Sequence, residues 1–172
     1  MPYQGSYIEK IRQKVGHQLL ILPSADVIAV DANGKILLVF NRDTQSWVFP
    51  GGYAEENSAS AETAARELWE EAGLRADPAD LTPIAFISGH TNCYAGGDLT
   101  QPYTQVFWAD KFTDFGKFQD DSEIARRRWF TTDEISQLDL GRHQRAELAA
   151  YRKYLSDHQY QMIDFTGEHF EI

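Results

Sequence analysis

The chain has 172 residues and a net charge of −10, from 26 acidic against 16 basic side chains. That length suits one compact domain with a real core, and 42% hydrophobic content with 13% aromatics excludes a disordered chain. The charge speaks against binding polymeric nucleic acid, which needs clustered Lys and Arg, but not against a small nucleotide whose phosphates meet an acidic site through a divalent cation.

Residues 6–15 carry Tyr7, Ile8, Ile11 and Val15 at helical spacing and stop at Gly16, which predicts a first helix. Two strand-like runs follow, 25–30 and 35–40. Asp31-Ala32-Asn33-Gly34 between them reads as a hairpin turn in which Asn-Gly takes positive φ. A third short run, 46–50, leads into Gly51 and Gly52. Residues 59–72 are rich in Ala, Glu and Leu and lack Pro, so they should be helical. Ser58 or Ser60 is placed to cap that helix and Gly73 to end it. Further strands are expected at 83–88, 103–112 and 126–131, with 89–103 read as a long polar loop turning at Gly96-Gly97. A short helix should start at 132–134 and a longer one should span 141–158, while the tail 159–172 is ambiguous. Strands outnumber helices and mostly meet through turns, so an α+β or mixed-sheet architecture is favoured over a doubly wound one. No Pro/Gly/Ser-rich linker divides residues 1–172, and one domain is expected.

Cys93 is the sole cysteine, so no intrachain disulfide forms and a reducing compartment fits. The start lacks the apolar core of a signal peptide, and the longest apolar stretch, 19–30, is broken by Pro23, Ser24 and Asp26. The expectation is a cytoplasmic protein that does not enter a membrane.

The acidic helix raises the chemical question. At about 100° per residue, Ala61, Ala65, Leu68 and Ala72 share a face fit for close packing on a sheet. Glu67, Glu70 and Glu71 crowd another face, with Arg66 beside Glu70, and like charges at that spacing repel. Such a face is either simply solvated or a site where carboxylates converge on a hard cation such as Mg²⁺.

The stretch 52–74 resembles the signature of the Nudix hydrolases, G-x5-E-x7-R-E-U-x-E-E-x-G-U, with U a bulky aliphatic residue. Gly52, Arg66, Glu67, Leu68, Glu70, Glu71, Gly73 and Leu74 fall in register, while Ser58 stands where the family has its first glutamate. Trp47, Phe49-Pro50-Gly51 and the pattern Trp129-Phe130 with Glu134-Ile135 are also similar to the family, and the resemblance covers residues 20–135 or so. It implies a mixed β-sheet flanked by helices, an α/β/α sandwich. It also implies Mg²⁺-dependent hydrolysis, with Mn²⁺ as an alternative, of a pyrophosphate bond in a nucleoside diphosphate linked to another moiety, such as ADP-ribose or a nucleotide sugar. A nucleoside triphosphate pyrophosphohydrolase and a nucleotide-binding domain impaired by the loss of its first glutamate are the alternatives. On this resemblance Glu67, Glu70, Glu71 and Gly52 would hold the metal and Arg66 would orient a glutamate. The base would be Glu67 or, from a later loop, Glu123, with Asp120 and Asp121 as competitors. Glu55, Glu56 or Glu62 would have to compensate for Ser58. The partner is a small-molecule nucleotide, and a homodimer is left open, with residues 1–16 or 159–172 available as packing arms.

Substrate choice lies outside the signature. Tyr94, Tyr103, Phe107 and Trp108 are candidates for stacking on a base, although strand aromatics usually serve the core. His90 and Cys93 are too few for zinc. In Arg126-Arg127-Arg128, strand alternation sends the middle side chain opposite its neighbours, so part of the run at most can face a phosphate.

Overall fold

A computed structural model describes residues 5–94, 96–119, 122–165 and 170–171. The chain opens with α1 (Tyr7–Val15), β1 (Leu20–Ala29), β2 (Ile36–Asn41), β3 (Ser46–Val48) and β4 (Gly51–Tyr53). The acidic helix α2 (Ser60–Ala72) follows, then β5 (Leu74–Arg75), β6 (Thr82–Ser88), β7 (Asn92–Cys93) and β8 (Leu99–Ala109). The chain continues through β9 (Thr113–Asp114), β10 (Ile124–Phe130), α3 (Thr132–Ser136), α4 (Arg142–Asp157), β11 (Gln161–Asp164) and β12 (Phe170–Glu171).

The main sheet runs β11-β6-β8-β1-β4, with β7 paired to β8 and β12 to β7. It is mixed: β1 lies parallel to β8 and antiparallel to β4. A second sheet runs β10-β2-β3. Strand alternation divides the core between two faces. Ala25, Val27 and Ala29 of β1 join Leu37, Val39, Phe107 and the α2 residues Ala64, Leu68 and Ala72. Ile28 and Val30 point the other way, to Leu38, Ile84, Val106, Phe130 and the α4 residues Leu148, Ala150 and Tyr151. The strands are thus sandwiched between α2 and α4, the layered mixed-sheet fold expected. Full burial of Leu68 or Leu74 contributes about 1.5–3 kcal/mol each.

Several local expectations change. Residues 31–34 do form a turn, closed by the Asp31 N–H to Lys35 carbonyl bond and an antiparallel Val30–Ile36 bridge, but β1 and β2 leave it for different sheets. Gly34 alone takes positive φ there, at 75°, because the Asp31 carboxylate accepts the Asn33 and Lys35 N–H groups and sets the turn. Strands therefore do not mostly meet through turns: β1 pairs with β8 some eighty residues later, a partner chosen by burial and not by proximity in sequence. The supposed loop 89–103 is largely a hairpin, closed by Tyr94, Gly97 and Asp98 and continuing into β8. The ambiguous tail adds β11 in parallel to β6. Its following residue, Phe165, is buried.

None of the three arginines at 126–128 lines the cleft described below. Arg126 lies 4.5 Å over Phe40 and Arg128 4.5 Å over Phe130, while Arg127, on the opposite side, bonds the Ala72 carbonyl and, at 2.6 Å, Asp114. α1 is tied down by Lys10–Glu56 and by Arg12, which caps Gly16, Gln18 and Leu99 carbonyls. Among the described residues, no helix is long and apolar enough to cross a membrane.

Candidate active site

α2 is fixed at both ends. Its N-cap is Ala59, whose N–H donates to Glu62 at 2.8 Å, so neither Ser58 nor Ser60 caps it. Gly73 ends it in the left-handed conformation, φ 65°, with the Lys117 carbonyl so close that any Cβ would collide. The packed face is also wider than expected. Thr63, Ala64, Glu67, Leu68, Glu71 and Ala72 are buried, while Ala61 and Ala65 are only partly covered. The helix has turned Glu67 and Glu71 inward.

The inward turn is possible because β4 begins Gly51-Gly52. A Cβ on Gly52 would sit 2.3 Å from Glu67 Oε1, and one on Gly51 would sit 1.9 Å from Asp26 Oδ1. Bare backbone at both positions lets carboxylates approach from two sides. Gly51 N–H donates to Glu71 at 3.0 Å. Arg66 reaches Glu67 and Glu70 at 2.7 Å each and donates to the Tyr53 carbonyl at 2.9 Å, so one guanidinium fixes two carboxylates against β4. Glu70 stays half-exposed. Glu123, just before β10, accepts from Asn41 Nδ2 at 3.0 Å, and its charge acts on both Glu67 and Glu71. Asp120 and Asp121 lie outside the described residues.

Crowding and burial shift these groups. Burial raises Glu67 to about 7, with Arg66 pulling back and Glu70 and Glu123 pushing further. Burial, then Glu67 and Glu123, raises Glu71 well above the ordinary carboxylate range. Arg66 alone does not offset this charge. All-oxygen donors converging from α2 and from the position just before β10, beside a cleft, match the needs of a hard divalent cation.

Ser58 does not replace a carboxylate at this site. Its hydroxyl donates to the Glu55 carbonyl at 2.8 Å and lies 3.0 Å from that of Thr63. Of the three glutamates considered as substitutes, Glu56 pairs with Lys10 and Glu62 caps α2; Glu55 lines the cleft while accepting from Tyr7 N–H.

The cleft holds about 410 Å³. Its floor is the β1–β8 surface, Ser24, Asp26, Pro102 and Thr104, with Glu67, Glu70, Glu71 and Glu123 on one side and the start of α4 on the other. Tyr94 is the one expected stacking residue that lines it, hydroxyl 3.1 Å from that of Tyr53. Phe107 belongs to the core, Trp108 packs near Tyr154, and Tyr103 is exposed beside Phe86. Sequence reasoning also missed a polar group on the α4 side: Asp26, His90, His143 and Glu147. His143 Nε2 lies 3.0 Å from Asp26 Oδ2, and the His90 and His143 rings are 4.8 Å apart. Burial, and then His143, lower His90 to about 4. The signal in the sequence is the polar Asp26 inside an apolar strand.

A family model described as the NUDIX domain matches residues 21–151, and the chain belongs to that family. A curated relative named putative ADP-ribose pyrophosphatase YjhB, from Bacillus subtilis (strain 168), is 29% identical over 136 residues, 77% of this chain and 62% of that protein. Phosphatase NudJ of Escherichia coli (strain K12) is 34% identical over 111 residues, 63% of this chain and 67% of that one. The match thus spans less than two thirds of the first relative's length. Among solved structures, a MutT NUDIX hydrolase from Burkholderia pseudomallei superposes with TM-score 0.62 at 20% identity, covering 76% of this chain and 97% of that chain. An ADP-ribose pyrophosphatase from Streptococcus suis 89-1591 gives 0.59 at 22%, covering 83% and 98%. At those identities the likeness establishes the fold.

Proposed function

We propose that this chain hydrolyses the pyrophosphate bond of a nucleoside diphosphate linked to a second moiety, ADP-ribose or a nucleotide sugar being the class. The observation that carries this is the meeting of Glu67, Glu71 and Glu123, from two separate elements, beside Gly51-Gly52 at a cleft with room for a nucleotide. The name of the Bacillus relative supports the substrate class.

Glu67, Glu70 and Glu71, with the Gly52 carbonyl, would hold Mg²⁺ or Mn²⁺. When bound, such an ion neutralises phosphate charge and lowers the pKa of water at the site. The protein's own share is orientation and proton handling. Arg66 presents Glu67 and Glu70 in fixed geometry. Glu67, near neutrality by burial, is poised to take a proton from the attacking water. Glu123, held by Asn41, is the alternative base. The Tyr53–Tyr94 pair gives the far side of the cleft an aromatic surface for the base or the second moiety.

Purified protein with Mg²⁺ should release a nucleoside monophosphate and a phosphorylated second product from members of this class. Pyrophosphate release from a triphosphate, with no turnover of diphosphate-linked substrates, would replace the reading by the triphosphate one. Arg66→Ala should lower kcat/KM by about 10–100-fold, the range for a group that orients metal ligands, with the effect mainly in kcat. Unchanged kcat would dismiss the orienting role.

A further inference from the structure

We propose that Asp26, His143 and Glu147 form a second cation site, for a transition metal of the Mn²⁺, Co²⁺ or Zn²⁺ class, on the α4 side of the cleft. This does not rest on the role given to the α2 glutamates. His143 and Glu147 stand four residues apart and so share one helical face. Alternation along β1 sends Asp26 to the same side as Ile28, the side on which α4 packs. One ligand atom from each of the three lies within 4.8 Å of the others. His143 Nε2 is 3.0 Å from Asp26 Oδ2 and 3.7 Å from Glu147 Oε1. Atoms bound to one ion at about 2.0–2.2 Å must sit within roughly 4.4 Å of each other, so small side-chain adjustments close the set.

The second observation is Glu147 itself. It is 0% exposed, and among the described residues its carboxylate oxygens and His143 Nδ1 find no hydrogen-bond partner of good geometry, the nearest groups being the Asp26 carboxylate and, at 3.7 Å, His143 Nε2. A buried carboxylate left in that condition is costly unless it is protonated, paired or bound to metal. It faces Asp26 and His143, which together supply one nitrogen and a further oxygen donor. An imidazole with two carboxylates suits Mn²⁺, Co²⁺ or Zn²⁺ better than Mg²⁺, which favours oxygen alone. Asp26 and His143 line the cleft, so an ion can enter from it. Gly51, whose missing side chain leaves room for Asp26, links this group to the glutamate wall across one strand pair.

The test is Co²⁺ titration of the full chain in excess Mg²⁺, read by visible absorption and calorimetry. Wild type should take up one equivalent of Co²⁺ that Mg²⁺ does not displace, with absorption bands showing nitrogen ligation. His143→Ala should lose that equivalent and its bands. Glu147→Gln, which keeps shape and burial, should weaken it by about tenfold or more, and Glu67→Gln should keep it. Circular dichroism checks that each variant folds. No Mg²⁺-resistant Co²⁺ in wild type, or the same uptake in His143→Ala, overturns the site. Unchanged Co²⁺ binding with a higher melting temperature in Glu147→Gln overturns it too, and makes Glu147 a protonated partner of Asp26.

Discussion

Glu71→Gln should lower kcat about a thousandfold at saturating Mg²⁺, the equivalent of the several kcal/mol that a held cation contributes to a phosphoryl transition state. The variant should fold normally. Glutamine fills the same volume, and its amide oxygen can take over the bond from Gly51 N–H, 3.0 Å in the parent. It also removes a buried charge that Glu67, Glu123 and Asp26 all oppose, so without metal the variant should melt higher than the parent. Higher stability and lost turnover in one substitution distinguish a ligand from a structural residue, because a structural residue would lose both. Glu70→Gln should cost less than Glu71→Gln, since Glu70 is half-exposed and already shares Arg66. A Glu71→Gln protein that keeps more than a tenth of parental kcat would remove Glu71 from the set that holds the ion.

The sequence showed the α2 wall of this site more clearly than the α4 wall, and the difference has a physical cause. Arg66, Glu67, Glu70 and Glu71 lie within one and a half helical turns, so fixed angular steps bring them together whatever the rest of the chain does. The helix was legible but the width of its buried face was not. Ala61, Ala65, Leu68 and Ala72 pack on the core as expected, the first two only partly covered, but Glu67 and Glu71 are buried as well, because Gly51 and Gly52 on another strand leave room for carboxylates there. Glu123 joins them through Asn41, 82 residues away, a contact that no local period announces. Asp26 is further still, 117 residues from His143, and it meets the His143-Glu147 pair only because β1 pairs in parallel with β8 and α4 folds back over that face. The turn at 31–34 teaches the same lesson in reverse. Its chemistry was readable and the turn closes, yet β1 and β2 then go to different sheets, which no local signal announces.

Without metal, the protein should lose stability as pH rises from about 5 to 8, and Mg²⁺ should restore it at the upper end only. Glu67 carries the clearest part of this. Its folded pKa is about 7 against an ordinary 4.5, so between those values the folded chain binds more protons than the unfolded one. Stability then falls with pH across the window, and the full contribution exists only below the unfolded value. A shift of that size corresponds to about 3 kcal/mol, or a drop in melting temperature of roughly 6–12 °C for a chain this long. Glu71, displaced in the same direction, extends the loss to higher pH. A divalent cation competes with protons for these oxygens, so adding Mg²⁺ should raise the melting temperature strongly at pH 8 and scarcely at pH 5. Glu67→Gln should reduce the metal-free pH slope, because it keeps the side chain and deletes one titration, while Glu71 and Glu147, displaced in the same direction, keep the remainder. Parallel pH curves for Glu67→Gln and parent, or an equal Mg²⁺ increment at both pH values, would show that the carboxylates face water, and the cation-holding wall on α2 would fall with that result.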